Sequence, residues 1–168
     1  MIEEKQYGFD MKRSDTTDAF TQHMTPENFV AYAWDMDFRI SVADSNLIHS
    51  DFIIRASSLA ESQGIKVFYL DFSKYNSGSA ALSAKENEQF LDAIENARSK
   101  SLLWFVNCDS FASLDVDLTY SLRTALTTRL GSNIQSVFVA KKATLLQMFS
   151  NSEAPFYQSH FSLTGYSH

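Results

Sequence analysis

One cysteine, two prolines and five glycines are all that this 168-residue chain holds of the residues that staple, break or loosen a fold. Cys108 therefore has no partner for a disulfide, and it lies in an apolar run. Packing must carry the stability, and a reducing, cytoplasmic setting is expected. Cations are scarce too: 14 Lys and Arg stand against 20 Asp and Glu, for a net charge of −6. The densest basic runs are the pairs Lys12-Arg13 and Lys141-Lys142. That balance argues against a nucleic-acid binder, which must gather cations to displace counterions from phosphates. No apolar stretch approaches the roughly 18 residues a membrane span requires, so no membrane role is expected. The first residues lack the apolar stretch of a signal peptide, and nothing in them is expected to direct export. His23, His49, His160 and His168 lack metal-ligand spacing, and neither a structural zinc nor a cofactor is expected. A Gly-x-Ser-x-Gly elbow is missing, which leaves Ser/His/Asp catalysis without support.

What the chain does have is apolar side chains, 45 % of the total, with 14 % aromatic. That is enough for one core of ordinary domain size. Residues 1–24 read as a polar arm and 25–168 as a single domain. Thr25-Pro26-Glu27 has the cap, first-turn proline and acid of a helix start, with the helix running toward Trp34. Strand and helix patterns then alternate. Phe38–Ala43 reads as a strand and Leu47–Gln63 as a helix closed by Gly64. Ile65–Leu70 is so continuously apolar that it predicts a strand buried on both faces. Ser73–Ala81 reads as a polar loop in which Asn76-Ser77-Gly78-Ser79 forms a turn or a small anion nest. Ser83 and Glu86 have capping-box spacing for a helix through Phe90, Leu91, Ile94 and Ala97. Leu102–Val106 is a third strand, Leu118–Leu130 a helix, Ile134–Ala140 a fourth strand, Thr144–Phe149 a short helix and Phe161–Leu163 a weak last strand. This alternation predicts a three-layer α/β sandwich around a mainly parallel sheet of about five strands.

Ligands of open parallel sheets gather at the carboxyl ends of strands. There the chain places Asp44, Asp71, Asn107 with Asp109 and Ser110, and Lys141 with Lys142. Such a set could hold a divalent cation beside a lysine for phosphoryl transfer or hydrolysis. The same residue types also cap helices, and that role has the greater weight.

Leu102-Leu103-Trp104-Phe105-Val106-Asn107-Cys108-Asp109-Ser110-Phe111 resembles the Walker B strand of AAA-type ATPases. Leu118–Leu130 is similar to the helix after that strand. Ser136–Ala140, Leu145–Phe149 and Ala154–Tyr157 resemble the sensor strand and following segment of archaeal-type and origin-recognition-like members. Leu47–Asp71 would be the first helix and second strand. The resemblance spans roughly two thirds of the chain and implies a P-loop NTPase-like fold. The departures are informative. A P-loop needs glycines whose amides wrap phosphate, plus a lysine and a Ser/Thr. Val42–Ser50 supplies neither glycine nor lysine and adds Asp44. Ser110 stands where the water-activating acid would follow Asp109, and Lys141 where a small polar sensor residue is usual.

The sequence thus points to a degenerate ATPase-like core without nucleotide hydrolysis, working through an unidentified protein partner, with a homo-oligomer also compatible. Lys141 is expected to pair with Asp109 or Asp44 and close the old site. Pro155, Phe156 and Tyr157 are the candidate partner-binding residues. The rival reading starts at Ile40–Asn46, which resembles the first strand and acid of PIN-type metal-dependent nucleases. Asp71, Asp109, Asp115 or Asp117 would complete its acidic cluster.

Overall fold

The computed structural model describes residues 24–96, 98–109, 122–126, 133–150, 153 and 161–163. Its centre is built from the most apolar runs of the chain. These form five strands: β1 (Ile40–Asp44), β2 (Lys66–Asp71), β3 (Ser101–Val106), β4 (Ile134–Ala140) and β5 (Phe161–Ser162). All pair in parallel, in the order β2-β3-β4-β1-β5. β4 is buried along its whole length and β1 likewise, as expected of strands covered on both faces.

The helices are α1 (Pro26–Tyr32), α2 (Ser50–Ser62), α3 (Gly78–Ser83), α4 (Glu88–Asn96) and α5 (Lys142–Phe149). A further helical stretch covers 122–126. Strand order dictates which face each one covers. The chain leaves β1, passes over β4 and β3 to reach β2, and then works back in the opposite direction. Right-handed crossovers place helices of opposite travel on opposite faces. Two apolar clusters bear this out. Phe29, Val30, Ala33 and Trp34 of the α1 region and Ala56 and Ala60 of α2 pack on Ala43, Leu102, Trp104, Val137 and Val139. Ala81, Phe90, Ile94, Leu122, Leu145 and Phe149 pack on Ile40, Val42, Leu103, Phe105 and Phe138. The result is the expected three-layer α/β fold.

Local chemistry explains where element ends differ from the sequence pattern. α1 starts as expected, with Thr25 Oγ1 accepting the Asn28 N–H. Met24, expected to belong to the polar arm, is buried in the α1 cluster. β1 begins at Ile40 rather than Phe38, because Asp37 and Arg39 have φ of 55° and 54°, a left-handed conformation a strand cannot include. α2 begins at Ser50 rather than Leu47. The Leu47 and Ile48 amides are spent on the Asp44 carbonyl. The stretch expected to be a loop holds a 3₁₀ turn, Phe72–Lys74, and then α3, whose N-terminus is capped by Ser77 Oγ on the Ala80 amide. The Ser83–Glu86 capping box does not form. Ser83 Oγ donates to the Ser79 carbonyl within α3, Glu86 accepts from the Tyr75 hydroxyl, and α4 starts at Glu88.

β2 is the main departure. Expected to be buried on both faces, it is a terminal strand with Tyr69 52 % exposed and Val67 and Phe68 only partly covered. Apolar content alone cannot report strand order, which is set by distant crossovers.

Candidate functional site

In a sheet of this order, β1 and β4 are neighbours whose onward connections leave on opposite faces, α2 to one side and α5 to the other. The crevice at their carboxyl ends is the topological switch point, where open α/β sheets bind ligands. Asp44 ends β1 and Lys141 follows β4, so both flank it.

The chain after β1 is drawn in on itself there. Asp44 is 4 % exposed, and its Oδ1 accepts the Asn46 N–H at 2.9 Å. Its main-chain carbonyl accepts the amides of Leu47 and Ile48, both at 2.9 Å. The Ser45 amide donates across the crevice to the Ala140 carbonyl at 2.8 Å. All of the amides from Ser45 to Ile48 are therefore engaged by protein acceptors. A phosphate cradle needs consecutive loop amides that point outward and are free to donate. Asp51, in the first turn of α2, adds a negative charge at the helix end that would otherwise attract an anion.

Asp109 works between elements. Its Oδ1 accepts the Lys141 main-chain N–H at 3.1 Å and the Thr144 hydroxyl at 2.8 Å. These are the residue capping α5 and one in its first turn. Since Lys141 offers no side-chain cap of its own, a carboxylate reaching over from the end of β3 does the capping and stabilises the helix dipole. The expected charge pair between Lys141 and Asp109 is not formed; the two residues meet through the Lys141 amide instead. Among the described residues the Lys141 ammonium has no ion-pair partner.

Asp71 and Asn107 make a second local network beside it. Asp71 Oδ1 accepts the Ser73 amide at 2.9 Å, the Ser73 hydroxyl at 2.6 Å and Asn107 Nδ2 at 2.8 Å. Asn107 sits at φ 55°, a left-handed position that asparagine tolerates better than most residues. Burial pushes the Asp71 carboxyl up, but the bonds from Ser73 and Asn107, with Lys74 nearby, outweigh it and hold the group below its ordinary value. Cys108, just after Asn107, is fully buried, its thiol donates to the Phe105 carbonyl, and burial pushes its pKa far up. It packs as a small apolar side chain, not a nucleophile.

The structure brings Asp109 to Lys141 and Asp71 to Asn107, but it spreads the acids along the sheet edge. β3 and β4 separate Asp71 from Asp44, a span of about 14 Å at the usual strand spacing. Among the described residues no group of three or more His, Cys, Asp or Glu could hold a metal ion. Ser110, Asp115, Asp117, Pro155, Phe156 and Tyr157 lie outside the described residues. Among the described residues no helix is long and apolar enough to cross a membrane. The chain matches no protein-family model and no curated protein. Sequence reading missed the self-bonded Asp44 turn; its one visible signal was an aspartate at the end of the strand, the residue type that opens an Asx turn by accepting the amide two residues on.

Proposed function

We propose that this chain is a non-catalytic, ATPase-like module that acts by binding another protein, with its ancestral nucleotide crevice filled by its own backbone. The observation that carries the reading is the Asp44 turn. Its carboxylate and carbonyl take three of the amides that would wrap a phosphate, and Ala140 takes the fourth. The position of that turn, after the first strand and beside the fourth, is where a switch-point ligand would sit. The trans-cap by Asp109 supports it further. An acid committed to holding α5 against β3 is occupied structurally.

The test is thermal melting of the whole chain with Mg·ATP and, separately, with Mn²⁺. A ligand present at 100 times its Kd adds about 2.7 kcal/mol. For a chain of this size that is roughly 5–10 °C. The expected result is no rise with either, together with amide NMR signals of residues 45–48 that do not move on adding nucleotide. A rise with Mg·ATP would overturn the proposal, and a rise with Mn²⁺ alone would favour a metal-dependent nuclease using Asp115 or Asp117.

A further inference from the structure

A strand with interior composition at the edge of a sheet requires cover. β2 reads Lys66-Val67-Phe68-Tyr69-Leu70-Asp71, and among the described residues it pairs with β3 alone. Natural edge strands are kept from pairing by a central charge, a proline or a bulge. β2 has none of these: its charges stand only at its two ends, and between them run four apolar or aromatic residues. Beside its first half lies an open cavity of about 810 Å³, walled by Glu61 and Gly64 on the α2 side and by Asp92 and Ala93 on the α4 side.

We propose that this edge is the interface of a homodimer, in which β2 pairs antiparallel with β2 of a second copy. Charge selects that occupant. The chain carries −6 overall, so two copies repel unless their contact is balanced in sign. The cavity meets that condition, because it sets the acids Glu61 and Asp92 among the bases Lys66 and Arg98. Neither Lys66, Arg98 nor Glu61 has an ion-pair partner among the described residues. Antiparallel pairing sets the first half of one β2 against the second half of the other, so Lys66 and the balanced cavity of each copy face the Asp71 end of its counterpart, base near acid, whereas a polyanion or polycation would meet repulsion from half of the patch. Geometry agrees. A twofold axis normal to the sheet keeps each strand face on its own side, so Val67 and Tyr69 meet their counterparts on the α2 face, and Phe68 and Leu70 meet theirs on the α4 face. Both helical layers then continue across the junction, and the interface is isologous and closed.

This inference stands apart from the proposed crevice closure, which lies between β4 and β1, two strands in from this edge. Sedimentation equilibrium of the full chain across the micromolar range tests it, with amide exchange read on β2. The expected result is a dimer whose β2 amides are protected. Lys66→Glu turns the cavity net acidic in both copies, and Tyr69→Lys puts a cation in the middle of the edge. Each change acts twice across the twofold, so each should raise the dissociation constant about tenfold. Both positions are exposed, and unchanged circular dichroism would confirm that the variants fold. A monomer throughout the range overturns the proposal, as does a dimer that both variants leave intact.

Discussion

Removing the Asp109 carboxylate separates a structural acid from a catalytic one. In Asp109→Ala, the Lys141 amide and the Thr144 hydroxyl each lose their acceptor. A cap is ordinarily worth about 0.5–2 kcal/mol, and hydrogen bonds to a charged group about 1.5–3 kcal/mol. Asp109 is exposed, so water replaces part of what is lost and the lower half of these ranges applies. About 1–2 kcal/mol is the expected cost, or roughly 3–6 °C in Tm for a chain of this length. Asp109→Asn keeps an acceptor oxygen in place but removes the charge at the α5 N-terminus, and should lose about half as much. Urea unfolding measures both variants, with unchanged m-values showing that the comparison is of stability alone. Amide exchange should show the loss concentrated in the first turn of α5. If Asp109→Ala is as stable as the parent, or if Asp109→Asn costs as much as Asp109→Ala, the trans-cap reasoning is wrong.

Other perturbations test separate parts of the structure. Ser57 Oγ accepts both Trp104 Nε1–H, which is fully buried, and the half-exposed Tyr69 hydroxyl. Ser57→Ala should therefore cost about 1–3 kcal/mol by urea unfolding, and Tyr69→Phe much less, since water can take over little but the tyrosine end. Asp71 has a folded pKa held below its unfolded value. The stability it contributes is present above the unfolded pKa and is lost as pH falls through the folded one. Acid titration should thus show a loss below about pH 4 that is smaller in Asn107→Ala, with the Asp71 carboxyl carbon signal titrating at higher pH in that variant. Gly64 has φ +80° and open space where a Cβ would stand. Gly64→Ala should cost about 1 kcal/mol from backbone conformation alone, and Gly64→Asn less.

The legible parts of the fold were those governed by local chemistry. Ile134–Ala140 was read to the residue, because every position of β4 is buried and the run is bounded by polar residues. The start of α1 was equally clear from Thr25-Pro26-Glu27. α3 escaped because six residues of Gly, Ser, Ala and Leu are too short to display a helical period. At Ser83 and Glu86 the motif was present, but each side chain found a nearer partner. The edge position of β2 could not be read at all, since strand order depends on four crossovers and on no residue within the strand. The candidate site divided the same way. Which residues stand at the strand ends was visible, as was the absence of glycine after β1. Who bonds to whom was not: Asp109 was matched with Lys141 by charge, whereas the fold joins them through an amide.

The amides at the end of β1 are the heart of the proposed closure. A turn after β1 without glycine or lysine offers phosphate little attraction, yet amides left free there could still donate to an anion. A short acid at the end of β1 resolves this. Its side chain reaches back to the amide two residues on, its carbonyl holds the next two, and the turn closes against Ala140. The acid is thus more than a deterrent to phosphate. On the proposed reading, it takes from inside the chain the hydrogen-bonding place an anion would hold. Replacing Asp44 with glycine should accordingly free the Asn46 amide, lower stability by about 1–3 kcal/mol, and speed amide exchange at residues 45–48 well beyond any change in β3. Uniform acceleration across the sheet, with no local excess in that turn, would show that the Asp44 bonds are incidental to its shape.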